Sequence, residues 1–229
     1  MLPGCLAVGT ESGHVLVYDT HDGSFVSCVP LSPSQSPITA MCLTTTAAAA
    51  PGTAAATGND SNSSSLLGAG GGVFVVVAAS ATTGITAIEC KGRSPFDLGG
   101  VPTTSTSSSI VTSLALPGDF ALTGSTTVVY FGTQGGQVAK RTRGMMYGFN
   151  DTVLFSAPPP TSSATGTSSA VCCLTVMLPY VLFACRDSVY VYSEAKRMVL
   201  ARFIRPTATG PQSYGAASLP FPSLTKEPH

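Results

Sequence analysis

The sequence predicts an all-β fold assembled from a repeated unit of antiparallel strands, and three observations carry that prediction. Apolar runs rich in strand-forming residues alternate with short turns of Gly, Ser, Thr and Asp. The pattern of run, turn and second run recurs four times, the kind of internal period that marks repeat architectures. The inner runs are continuously apolar instead of strictly alternating, as expected of strands buried on both sheet faces.

The first unit is CLAVGTESGHVLVYDTHDGSFVSCVPL, residues 5–31. A Ser-Gly turn separates its first two runs, and Asp22-Gly23 separates the second from the third, so three antiparallel strands follow one another. The second unit opens with PITAMCLT from Pro37 and continues with VFVVVAASATTGITAIE from Val73; PFDLGGVP stands where a fourth strand belongs. In the third unit SIVTSLAL from Ser109 precedes TVVYFGTQGGQVAKRT from Thr127, and DTVLFS follows. In the fourth, AVCCLTVM from Ala170 precedes YVLFACRDSVYVYSE from Tyr180, and MVLARFI follows.

Four strands per unit, joined by turns and repeated, is the arrangement of a β-propeller blade. The expected fold is therefore β-propeller-like, with about four blades of antiparallel strands over residues 1–206. The residues between the paired runs inflate the ordinary repeat of about 40 residues. TTTAAAAPGTAAATGNDSNSSSLLGAGGG, residues 44–72, is too poor in large apolar side chains to form a core and reads as a disordered low-complexity insertion. Residues 207–229 read as a disordered tail, with four prolines and no run of strand-formers. Residues 5–31 supply the second to fourth strands of a blade, and only MLPG precedes them. The expectation is thus an incomplete ring or a fragment of a larger propeller. A partner subunit, or a missing part of the same chain, would complete the strands, with the edges at residues 5–10 and 198–204 as joining surfaces.

SGHVLVYDTHDG, residues 12–23, resembles the third strand of a WD repeat, with Tyr18-Asp19 where Trp-Asp is typical, and SVYVYSEAK at 188–196 is a second match. Asp187 stands at the turn aspartate of that family. The resemblance to the WD-repeat (WD40-type) family implies a non-enzymatic protein–protein interaction module or a scaffold subunit of a larger assembly, with other protein subunits as partners. Propellers bind through loops on rigid faces. The expected contacts are Glu11 and His14 around the first turn, Lys140, Arg141 and Arg143 before the basic turn, and Arg186 and Asp187.

Composition excludes several classes. Eleven basic and eleven acidic residues cancel, and charged residues are a tenth of the chain, so no global field steers it to nucleic acid or acidic lipid. Seven cysteines at irregular spacing, with no CxxC and three histidines, fit neither a disulfide framework nor a zinc site, and are expected to be reduced and mostly buried. The Cys172-Cys173 pair is read as core packing. No secretory signal is visible, which points to an intracellular, cytoplasmic location. GAGGG at 68–72 lacks the third glycine of a dinucleotide fingerprint, since position 73 is Val73, and it precedes a strand. No P-loop, HExxH or GxSxG sequence is present. No cofactor, metal or catalytic residue is therefore expected.

Two alternatives stand beside the scaffold reading. QVAKRTRGMM carries the densest charge of the chain, Lys140, Arg141 and Arg143, followed by Met145, Met146, Tyr147 and Phe149. Such a patch could contact phosphoinositide headgroups or RNA, but reads first as a solvated strand edge. Residues 66–88 are uncharged up to Ile88 and long enough to span a bilayer, with AVCCLTVMLPYVLFAC as a second candidate. Against a small membrane protein stand the turn signals at 81–84, Pro179 at the centre of the second segment, and the alignment of both with the other units.

Overall fold

The computed structural model describes residues 4–31, 36–46, 73–82, 84–89, 96–98, 110–120, 127–143, 148–157 and 170–204. Within them the chain forms fifteen strands in four antiparallel sheets, and no helix. The first sheet holds β1 (Cys5–Gly9), β2 (His14–Asp19) and β3 (Phe25–Pro30). The second holds β4 (Ile38–Thr46), β5 (Val73–Ser80), β6 (Gly84–Glu89) and β7 (Phe96–Asp97). β8 (Val111–Ala115), β9 (Val128–Thr133), β10 (Gln137–Arg143) and β11 (Phe149–Ser156) make the third, and β12 (Val171–Met177), β13 (Tyr180–Cys185), β14 (Ser188–Ser193) and β15 (Met198–Ile204) the fourth. Every sheet is a meander of sequence neighbours.

The four units expected from sequence are these four sheets. Two boundaries differ. β4 runs to Thr46, into the segment read as an insertion from residue 44, because Thr44 to Thr46 pair with Val73 to Val75. The rest of that segment and the tail at 207–229 lie outside the described residues. PFDLGGVP does supply a fourth strand, two residues long: Phe96 and Asp97 pair with Ala87 and Thr86. The described parts of both candidate membrane segments are strand hairpins, β5 with β6 and β12 with β13. Among the described residues no helix is long and apolar enough to cross a membrane.

The sheets stack face to face in chain order, and each junction is one apolar core. Val15 and Val17 of the first sheet meet Val76, Ala78 and Ile88 of the second. Val75, Val77, Ala79 and Ile85 on the opposite face meet Val129, Phe131 and Ala139 of the third. Tyr130 and Val138 meet Val181, Phe183, Tyr190 and Tyr192 of the fourth. Successive residues on one strand thus enter different cores, because strand side chains alternate between faces. Full burial of such side chains contributes about 1.5–3 kcal/mol each, so the inner sheets are held from both sides. The first strands β4, β8 and β12 are neighbours across the stack, which is the blade arrangement of a propeller.

A small residue recurs where the next sheet's first strand crosses. Gly9 pairs with Val15, Ala79 with Ile85, Gly132 with Val138 and Ala184 with Val189, so these four are equivalent. A Cβ on Gly9 would lie 2.7 Å from Ile38 Cγ2. One on Gly132 would meet Ser113 Oγ and lie 2.6 Å from Val171 Cβ. Ala79 shares its core with Val111. Ile38, Val111 and Val171 all open a first strand at a bulge, which aims the branched side chain at the small residue.

The cysteine expectation is corrected in part. The six described cysteines are free, but only Cys5 is buried; Cys28, Cys172 and Cys173 are exposed. Cys28 pairs with Leu16, and Cys173 with Ala184, on the outward faces of the first and fourth sheets, which no other described sheet covers. Cys172 is the bulge residue and donates to Ala184 O at 3.3 Å. Strand-like runs imply burial only where a second sheet follows.

Gly132→Ala is expected to cost about 1–3 kcal/mol through overpacking, read by urea denaturation. Gly118→Ala, where a Cβ would meet nothing within 4 Å, is the matched control and should stay within about 0.5 kcal/mol.

Candidate interaction surface

The β1–β2, β5–β6, β9–β10 and β13–β14 turns form the end of the stack at which Glu11, His14, Arg186 and Asp187 lie. In the first sheet Gly13 N donates to Thr10 O at 3.2 Å, and His14 N to Thr10 Oγ1 at 3.0 Å. The third sheet repeats this: Gly136 N donates to Thr133 O at 3.1 Å, and Gln137 N to Thr133 Oγ1 at 3.2 Å. The two glycines have φ 79° and 81°, a region that disfavours any other residue. The shared Thr-x-x-Gly spacing is a sequence signal for this turn that the strand-by-strand reading passed over.

Glu11 is exposed at the tip of the first turn. His14 is half-buried at the start of β2, and its Nδ1 lies 3.1 Å from Ser12 Oγ, which in turn is 3.0 Å from Thr10 Oγ1. Arg186 and Asp187 are exposed in the fourth sheet's turn, one residue shorter than the others and without glycine. Backbone bonds tie the first turn to the second sheet: Ile38 N donates to Thr10 O at 3.1 Å. The structure therefore brings four of the seven candidates to one end of the stack, on its first and fourth sheets.

Lys140, Arg141 and Arg143 lie elsewhere. They belong to β10 itself, and adjacent members point to opposite faces. Lys140 Nζ lies 2.7 Å from Glu194 Oε1 of the fourth sheet and 5.5 Å from the Tyr130 ring centroid. Tyr130 donates to the same carboxylate, at 2.7 Å from Oε2. Arg141 faces the second sheet and is 2% exposed. Its Nε and Nη2 each lie 2.7 Å from a carboxylate oxygen of Asp151, a bidentate pair. Its Nη1 donates to Leu98 O at 2.9 Å, and its guanidinium stands over Phe131 at 5.4 Å. The expected basic patch, whether a ligand site or a solvated edge, is corrected for Lys140 and Arg141: they are the links of the third sheet to the fourth and second. Arg143 is half-buried at the strand end, with its backbone N bonded to Thr127 O at 3.2 Å. Sequence could not separate these roles, because the partners Glu194 and Leu98 are distant along the chain.

Among the described residues no group of three or more His, Cys, Asp or Glu is placed to hold a metal ion. Of the groups whose titration is shifted, two move furthest. Burial first, and then the Glu194 carboxylate, raise the Tyr130 phenol well above its ordinary range. The Cys185 thiol is pushed up to about 11, by burial first and then by Cys172 and Asp187, with Arg202 opposing.

The fold and its turns define a propeller-type array of sheets that presents loops on a rigid frame. The chain matches no protein-family model and no curated protein. Among solved structures it is similar to Sqt1 of Saccharomyces cerevisiae, a WD40 protein, at TM-score 0.54 and 10% identity, over 87% of this chain and 45% of that one. Two computationally designed proteins also align. Ika8 does so at TM-score 0.45 and 18% identity, over 89% of this chain and 47% of that chain; Ika4 at 0.44 and 15%, over 84% and 87%. The chain spans about half the length of Sqt1 and of Ika8.

Asp151→Ala strands a buried guanidinium and is expected to destabilise by about 3 kcal/mol, more than Arg141→Met, since the Asp151 side chain is 19% exposed and can rehydrate. Urea denaturation of both variants checks the order. The raised Cys185 pKa favours the protonated thiol in the folded state, so its contribution is full below pH 9 and lost as pH rises through about 11. Denaturation midpoints should fall across that window, and Cys185→Ala should flatten part of the fall.

Proposed function

We propose that the chain is a non-enzymatic interaction module, a scaffold that holds other protein subunits through the turns at one end of its stacked sheets. The observation that carries this reading is the contrast within the turn end. Glu11, Arg186 and Asp187 are exposed, while the sheets beneath them are fixed by cores whose central valines are 0–1% exposed. Charged side chains on a rigid frame bind at low entropic cost. The fold-level likeness to Sqt1 agrees with a binding role, although fold alone assigns no partner. The phosphoinositide or RNA reading is not favoured, because Lys140 and Arg141 are engaged between sheets. The membrane reading is not favoured, because its segments pair as strands.

The test is affinity isolation from the native cell with the intact chain and with a Glu11→Ala/Asp187→Ala variant. A defined set of proteins should co-purify with the intact chain and be depleted at least fivefold with the variant, at unchanged thermal unfolding. Equal recovery with both would place the contacts elsewhere, and no recovery above background with either would count against a scaffold.

A further inference from the structure

The stack has two kinds of sheet face, and every inner junction joins one of each. The face turned to the preceding sheet carries Val76 and Ala78 in the second sheet, Val129 and Phe131 in the third, and Val181 and Phe183 in the fourth, all 0–3% exposed. The equivalent positions of the first sheet are Leu6 and Val8, 42% and 40% exposed. Their cross-strand partners are as apolar as the buried ones: Leu6 pairs with Tyr18 and Val8 with Leu16. Tyr18 packs edge-on against Phe25, ring centroids 5.7 Å apart, and Phe25 is 57% exposed.

The face turned to the following sheet carries Val15, Ile85 and Val138, each 0% exposed. Its equivalent in the fourth sheet is Val189, 39% exposed, across from Ala184 and Phe203. Ala184 occupies the small-residue position that elsewhere receives Ile38, Val111 or Val171 of the next first strand. The fourth sheet therefore keeps the slot, and no described strand enters it.

We infer that these two faces dock on each other between two copies of this chain, the first sheet of each on the fourth sheet of the other. The faces are of opposite kind, as at every inner junction, although the three-stranded first sheet brings no first strand to the Ala184 slot, and one chain carries both. Their charges are complementary. Outside the faces turned to the inner sheets, residues 4–31 hold Glu11 and Asp22 with no Lys or Arg, and residues 170–204 hold Arg186, Lys196 and Arg197 against Asp187, while Asp19 and Arg202 lie on the inward faces with Val17 and Tyr190. The terminal sheets of a neutral chain thus differ in sign. The β2–β3 turn with Asp22 and the β14–β15 turn with Lys196 and Arg197 are equivalent, so docking sets them on one rim. Glu11 and Arg186 fall on the other, where Asp187 offsets part of the attraction. Two identical junctions related by a twofold axis close the pair. The inference rests on sheet faces and stands apart from the turn reading.

Sedimentation of the full chain at roughly 1 and 100 μM, concentrations bracketing a typical homodimer, should show a species of twice the chain mass. Val8→Lys and Val189→Lys, at exposed positions, should each raise the dissociation constant at least about 100-fold by burying an unpaired charge. An equimolar mixture of the two variants should regain a two-chain species, because the fourth sheet of V8K and the first sheet of V189K are both intact. Cys28 and Cys173 of the unsubstituted chain should be labelled more slowly at the higher concentration, a readout independent of any variant. A monomer at 100 μM, a dimer unaffected by either substitution, a mixture that stays monomeric, or a polymer that grows without limit would each overturn the pairing.

Discussion

Burial of both faces of each inner sheet is the constraint on which the rest of the structure depends. A sheet with one wet face can alternate apolar and polar residues; a sheet inside a stack cannot. Val75 to Ala79 are all 0% exposed because even positions enter one core and odd positions another. The approach of neighbouring sheets then sets what each strand end can carry. Gly9, Ala79 and Gly132 are small because Ile38, Val111 and Val171 cross there, and the bulges beside those residues provide the bend that brings them in.

The polar residues within the stack obey the same geometry. Lys140 and Arg141 are sequence neighbours, so they face opposite sheets, and each meets a partner that only stacking supplies. Arg141 also compensates for the short β7. At the end of that two-residue strand the guanidinium donates to the Leu98 carbonyl while Asp151 neutralises its charge. Glu194 plays the matching part on the other face, accepting from both Tyr130 and Lys140. A buried donor or carboxylate left alone would cost far more than such a bond contributes net.

The fold was legible in the sequence because the repeat is written in runs and turns that local chemistry decides. All four hairpins of second and third strands were visible, since strand-formers flank Gly, Ser, Thr or Asp in each. The two-residue β7 was not, because a strand that short has no periodicity and exists only through its pairing with β6. The candidate site was legible at the turns and illegible within β10. Glu11 and Arg186 are exposed for reasons local to a turn, whereas Arg141 is buried by a carbonyl 43 residues earlier. The exposure of Cys28 and Cys173 was hidden for a related reason: their strands look like core strands, and the sheets that contain them are covered on one face by described residues and not on the other.

The same logic bears on where a repeat protein can carry specificity. Positions that recur in every sheet, the small residue before each turn and the branched residue that crosses it, answer to stacking and tolerate little change. The turns beyond them answer mainly to their own hydrogen bonds, and a Thr-x-x-Gly turn satisfies those from within. Its tip residues, Glu11 and Ser12 in one sheet and Gln134 and Gly135 in another, are free to differ at no expense to the core. The fourth sheet departs furthest, with a shorter turn made of Arg186 and Asp187. The local rule is kept in the first and third sheets and absent from the second and fourth, and of these turns the fourth alone carries two charges, so turn chemistry varies there while the core beneath stays fixed.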